Sequence, residues 1–237
     1  MPKLIPKFQR GQVVPRLTTP KFPFLENITN TRIEKPPVST KPATIKNVLR
    51  ITDYSPLPFS GSIIGVKNLP KIKGLDSRVN PEHLRDMLFE VSADTRLNKY
   101  QKAVILAHMG VESLFNPFQQ QVGGPAYGPM QFEAERQQEF KDYIKKYGDN
   151  SRAVVDYLVD TMVLKPDTTK HWRYFGDKYP RAMDSYNSFK DAKNLQEALE
   201  SSYYGYVRPK SSQNPDSAKV ELLKRLDLAQ QFLKYVD

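Results

Sequence analysis

The chain has 237 residues, room for one well-cored domain and an extension, and its 36 Lys/Arg against 26 Asp/Glu leave a net charge of +10. It contains no cysteine, which excludes a disulfide framework and any thiolate metal centre, and its three scattered histidines argue against a zinc hydrolase. No stretch is apolar for long enough to cross a bilayer.

The charge is uneven along the chain. Residues 1–73 hold 13 Lys/Arg and three acids (Glu26, Glu34, Asp53), a surplus of +10; the other 164 residues carry 23 charges of each sign. The same opening segment holds 11 of the 19 prolines. Isolated apolar residues between prolines cannot easily build a core. Residues 1–77 are therefore expected to form an extended, mostly irregular basic arm, with a separate domain over 78–237. Two readings of the arm stay open. It is either a linker, or an anchor that becomes ordered on another protein or on an anionic surface such as DNA or teichoic acid. Pro2, Pro6 and Pro15 interrupt what would be the apolar core of a signal peptide. A protein made and kept in a cytoplasm, unless something else carries it out, is the expectation.

From residue 78 the pattern turns helical. Asn80-Pro81-Glu82 reads as an N-cap, a proline at the first helical position and an acid in the first turn, opening a helix to about Val91. Asn98 caps the next, over 99–112, which should bury Ala103, Val104, Leu106, Ala107 and Val111. His108 and Glu112 lie four residues apart on it. Two ligands with no third nearby make a poor metal site, so His108 is expected to pack or hydrogen-bond beneath Glu112. A carboxylate at the inner end of a buried helix is short of water. Desolvation then favours the protonated form, which suits a general acid.

The block Glu112-Ser113-x-x-Asn116-Pro117, a loop with Gly123 and Gly124, and then Ala126-Tyr127-Gly128-x-x-Gln131-Phe132 resembles the active-site block of the lysozyme superfamily. It is most similar to phage tail-type lysozymes and more distantly to lytic transglycosylases. The resemblance implies an all-α lysozyme-like domain, with a short β-hairpin near the cleft that Gln121 to Ala126 could supply. It implies that Glu112 is the catalytic acid and that Ser113, Tyr127 and Gln131 position it or bind sugar. Pro129 stands where the family usually has Leu, and Phe132 where Trp is common.

Beyond the loop, Met130–Tyr147 reads as an amphipathic helix ended by Gly148, and Ser151 as the cap of a helix with Val154, Val155, Leu158, Val159 and Met162 at core spacing. Residues 165–180 form an aromatic loop with the single Trp, suited either to stacking on sugars or to plain packing. Helices follow at about 181–189 and from Leu195. The run Ser201-Ser202-Tyr203-Tyr204-Gly205-Tyr206-Val207-Arg208-Pro209 resembles a block late in phage tail lysozymes where an aromatic closes the cleft, with Val207 in place of the family's acid. Tyr203 and Tyr206 are the candidates by position, although such a pair at helix spacing is more often core. The last helix, Ser217–Tyr235, should pack on the domain rather than catalyse.

The resemblance implies a peptidoglycan substrate, no cofactor, and cleavage of the MurNAc–GlcNAc β-1,4 bond by hydrolysis or with a 1,6-anhydro product. A second carboxylate, if used, has candidates in Glu133, Glu135, Asp156 and Asp160. A wall-cutting enzyme without a leader fits a virion, its arm held by a phage tail or capsid protein. Two further readings are a structural virion protein with an inactive lysozyme-like domain, and a DNA-associated packaging protein that uses the arm.

Overall fold

In a computed structural model of the protein, residues 71–173 and 179–236 are described. The expected arm therefore lies, up to residue 70, outside the described residues. These form seven α-helices and no named strand. The helices are α1 (Pro81–Ala93), α2 (Lys99–Glu112), α3 (Ala134–Tyr147), α4 (Ser151–Val159), α5 (Ala182–Lys190), α6 (Leu195–Ser202) and α7 (Pro215–Phe232). No helix among them is long and apolar enough to cross a membrane.

Local sequence sets most of the helix starts. Asn80 accepts from the Glu82 backbone with Pro81 at the first position, as expected. Asn98 and Gln101 form a reciprocal capping box: the Asn98 side chain takes the Tyr100 and Gln101 N–H groups, and Gln101 returns to the Asn98 N–H. Two expectations are corrected. Asn150, not Ser151, caps α4, accepting from Ala153 N–H at 2.9 Å. Helix α3 begins at Ala134 rather than Met130, because Phe132 is still paired with Tyr127 in a β-bridge and Gln131 has φ 50°.

Helix α2 is the centre of the packing. From Ala103 to Gly110 every residue is buried, and α7 and α6 pack against it. Residues 71–77, assigned by composition to the arm, join this body together with 78–79. Ile72, Leu75 and Val79 pack on the core, and Gln231 of α7 both accepts from Lys73 N–H and donates to Lys73 C=O. An ion cluster ties the start of α2 to α1 and α4. Arg96 bridges Asp94 and Asp156, and Arg152 reaches Asp156 and Glu90.

Two helices end in π-turns, Asp160–Leu164 after α4 and Tyr203–Val207 after α6. The wider turn frees carbonyls from the helical ladder, and buried side chains take them. Trp172 Nε1 donates to Thr161 C=O, Tyr186 OH to Val163 C=O, and Arg136 Nη1 to Tyr206 C=O. Trp172 is fully buried and so serves packing in the aromatic loop, not an exposed stacking surface.

Candidate functional site

Glu112 is the last residue of α2, and the chain leaves the helix abruptly after it. Ser113 and Phe115 N–H both donate to Met109 C=O. Leu114 (φ 54°) and Phe115 (φ 63°) are consecutive non-glycine residues in the left-handed region, a strained exit. The buried Phe115 ring folds back over Gly110 and meets Phe232 edge-on at 5.7 Å. A Cβ on Gly110 would stand 3.0 Å from that ring, so glycine is what lets the turn close.

The Glu112 side chain is 15 % exposed and opens on a cavity of about 300 Å³. Ser113, Gln119 and Gln131 line it from the following loop, Lys224 from α7, and Asp76 and Arg78 from the segment before α1. Gln131 staples the loop: its Nε2 donates to Gln119 C=O at 3.1 Å and to Gly128 C=O at 3.0 Å. Gly128 (φ 88°) sits where a Cβ would meet the Phe140 ring at 2.8 Å. The expected hairpin reduces to two isolated bridges, Gln120 with Tyr127 and Tyr127 with Phe132.

Beneath the cavity runs a buried polar chain. Arg225, 1 % exposed, donates through Nη2 to Glu112 Oε1 at 2.6 Å and more weakly to Glu221 at 3.3 Å. Its Nη1 lies 2.9 Å from His108 Nδ1, and His108 Nε2 lies 2.9 Å from Ser202 Oγ. A guanidinium can only donate, so Nδ1 must be the acceptor and the imidazole proton sits on Nε2. Ser202 takes that proton's bond and passes its own hydrogen to Ala198 C=O at 2.7 Å. His108 is accordingly neutral; burial first, and the Arg225 charge second, hold its pKa well below the usual 6.5. The guanidinium plane also lies over the Tyr203 ring at 5.3 Å.

The structure adds a guanidinium to the water-poor surroundings expected of Glu112, and that partner fixes the direction of the carboxyl group. Of the expected site residues, Glu112, Ser113 and Gln131 line the cavity, with the Ser113 hydroxyl committed to Met109 C=O as a helix cap. Tyr127 stands outside the lining, half-buried on Phe140 under the Lys141 ammonium. Tyr203 and Tyr206 are both fully buried and line nothing there; their hydroxyls pair with Ser211 and Thr161. Asp156 and Asp160 are held in ion pairs with Arg96 and Lys165.

Sequence reading missed Arg225 and Asp76. Arg225 had a signal: it occupies an apolar-stripe position of α7 between Leu222 and Ala229. Asp76 had none beyond its type. It accepts from Arg78 Nε at 2.9 Å and Nη2 at 2.8 Å, bonds that hold its carboxyl well below the usual range. No group of three or more metal-binding side chains occurs among the described residues.

No curated protein and no solved structure matches this chain. The family model described as phage tail lysozyme does match, over residues 86–236, a span that takes in the Glu112 turn, the Gln131 loop and the α7 arginine. A match of that extent makes this chain a member of the phage tail lysozyme family, a lysozyme-like kind of peptidoglycan hydrolase.

Proposed function

We propose that this protein is a virion-associated glycosidase that cleaves the MurNAc–GlcNAc β-1,4 bond of peptidoglycan, opening the bacterial wall locally as a phage genome enters. The observation that carries this reading is the Glu112 carboxylate, nearly buried, oriented by Arg225 and directed at a cavity shared with Gln131. Glu112 gives its proton to the glycosidic oxygen, the bond from C1 of MurNAc to that oxygen breaks, and positive charge develops at C1. Arg225 then stabilises the carboxylate that remains. The cation is captured by the sugar's own C6 hydroxyl, giving a 1,6-anhydro product and returning a proton to Glu112, or by water, giving a reducing end and passing a proton to the carboxylate that acts as base.

A water route would use Asp76, a second carboxylate lining the same cavity, as the base once its oxygens part from Arg78. In this proposal the basic residues ahead of the body, up to residue 70, hold the enzyme on a tail or capsid protein.

Purified peptidoglycan digested with wild type, Glu112→Gln and Asp76→Asn, with fragments read by mass spectrometry, tests the reading. Glutamine keeps an oxygen for Arg225 but has no acidic proton, so release should fall by about 100-fold or more. Asp76→Asn should cost a similar factor if water is the acceptor, and little if an anhydro product forms. Absence of release from walls of several chemotypes by folded wild type would instead favour a structural virion protein with an inactive domain.

A further inference from the structure

Six buried side-chain nitrogen or oxygen atoms among the described residues have no hydrogen-bond partner, and five of them cluster away from Glu112. They are Arg136 Nε and Nη2, Arg208 Nη1, His171 Nδ1 and Tyr157 OH. All four residues gather around the Tyr206 turn. Arg136 stacks between the Phe132 and Tyr206 rings, 4.7 and 4.6 Å from their centroids, and its Nη1 is bonded to Tyr206 C=O. The His171 ring lies 6.3 Å from Tyr206 and 6.4 Å from Tyr157. Arg208 follows two residues later in a left-handed conformation (φ 56°). Burial, then repulsion from Arg136 and Arg173, pulls the Arg208 pKa down to about 9.

A guanidinium that is only 8 % exposed, as Arg136 is, loses most of its hydration and is ordinarily paired with a carboxylate. Neither Arg136, Arg173 nor Arg208 has an ion-pair partner among the described residues, and the nearby Glu139 is bonded to His171 instead. The ring stack fixes the Arg136 plane and leaves its Nε/Nη2 edge free, the edge that engages two oxygens of one oxyanion.

We propose that Arg136 and Arg208, with the exposed Arg173 at the rim, form a binding site for a phosphate group. Three buried N–H atoms from two guanidiniums suit the three free oxygens of a phosphate better than the two of a carboxylate. A third nearby cation suits its double charge. None of these residues lines the Glu112 cavity, so the site stands independently of the glycosidase reading.

The test is thermal unfolding of the full chain as inorganic phosphate replaces chloride at constant ionic strength, for wild type, Arg208→Gln and Arg136→Lys. Ligand that binds the folded state raises Tm saturably. Wild type should show such a rise, and each variant should need about tenfold more phosphate for the same rise, the worth of one charge-assisted bond. Arg208 is half-buried at the rim, so Arg208→Gln should fold even if Arg136→Lys does not. Equal rises in wild type and Arg208→Gln would reveal general salting-out rather than a site, and would overturn the proposal. So would no rise at all, or acetate matching phosphate at the same concentration.

Discussion

At the scale of single residues, Arg225 joins the α2 end to the rest of the site, because one buried guanidinium serves Glu112, Glu221 and His108 at once. Arg225→Met would keep much of the side-chain volume while stranding Glu112 and the His108 acceptor. It should destabilise the fold by about 3–5 kcal/mol, measured by denaturant unfolding. His108 sets a pH dependence of definite sign. Its folded pKa lies below the usual 6.5, so between those two values the unfolded chain binds a proton that the folded one refuses, and stability falls as pH falls. His171, also lowered chiefly by burial, acts in the same direction. Unfolding free energy should therefore drop from about pH 7 to pH 5, with up to about 1.4 kcal/mol per pH unit from each group. His108→Gln should show a shallower slope; an unchanged slope would mean that His108 is already protonated in the folded protein.

Among the elements, α2 combines a start set by local chemistry with an end set by packing. Asn98→Ala removes the acceptor for two backbone N–H groups, and a loss of about 1–2 kcal/mol in thermal or chemical unfolding is expected. At the other end, Gly110→Ala adds helix propensity but pushes a methyl into the Phe115 ring. That ring is fully buried, held by a strained backbone and by Phe232, and has little room to yield. Overpacking should win, with a net loss of about 1 kcal/mol, and glycosidase activity should fall further than stability because Glu112 sits on the displaced turn. Gly205 is tighter still: a Cβ there would lie 2.6 Å from the Ser185 Cβ and 2.9 Å from the Trp172 ring. The second π-turn, whose carbonyls serve Arg136 and Arg173, depends on that closeness.

Over the whole molecule, the surplus charge is gathered in one part of the sequence. Residues 1–73 carry the entire surplus of +10, and residues 74–237 are balanced. Binding of the full chain to an anionic polymer should weaken steeply between roughly 50 and 200 mM salt. Replacing the ten Lys/Arg of residues 3–50 by Gln should remove that dependence, measured by polarization of a labelled DNA or polyphosphate. Persistence of the salt-dependent binding would move the contact to the helical body.

Much of this organisation was legible in the sequence. Asn80-Pro81 and Asn98-x-x-Gln101 announce helix starts because capping is short-range chemistry between residues two or three apart. The apolar stripe of α2 announces burial for the same reason of local periodicity, and the Glu112–Gln131 block announces the family that the model match then established. Tertiary structure decided the rest. Helix α3 begins late because Phe132 pairs backward with Tyr127, and Tyr206 faces the core because its hydroxyl finds Thr161. Above all, Glu112 meets Arg225 from 113 residues further on and shares a cavity with Asp76 from ahead of the first helix. Such partners are chosen by how helices stack, and the spacing of residues along a chain does not encode which distant charge will stand across a cavity.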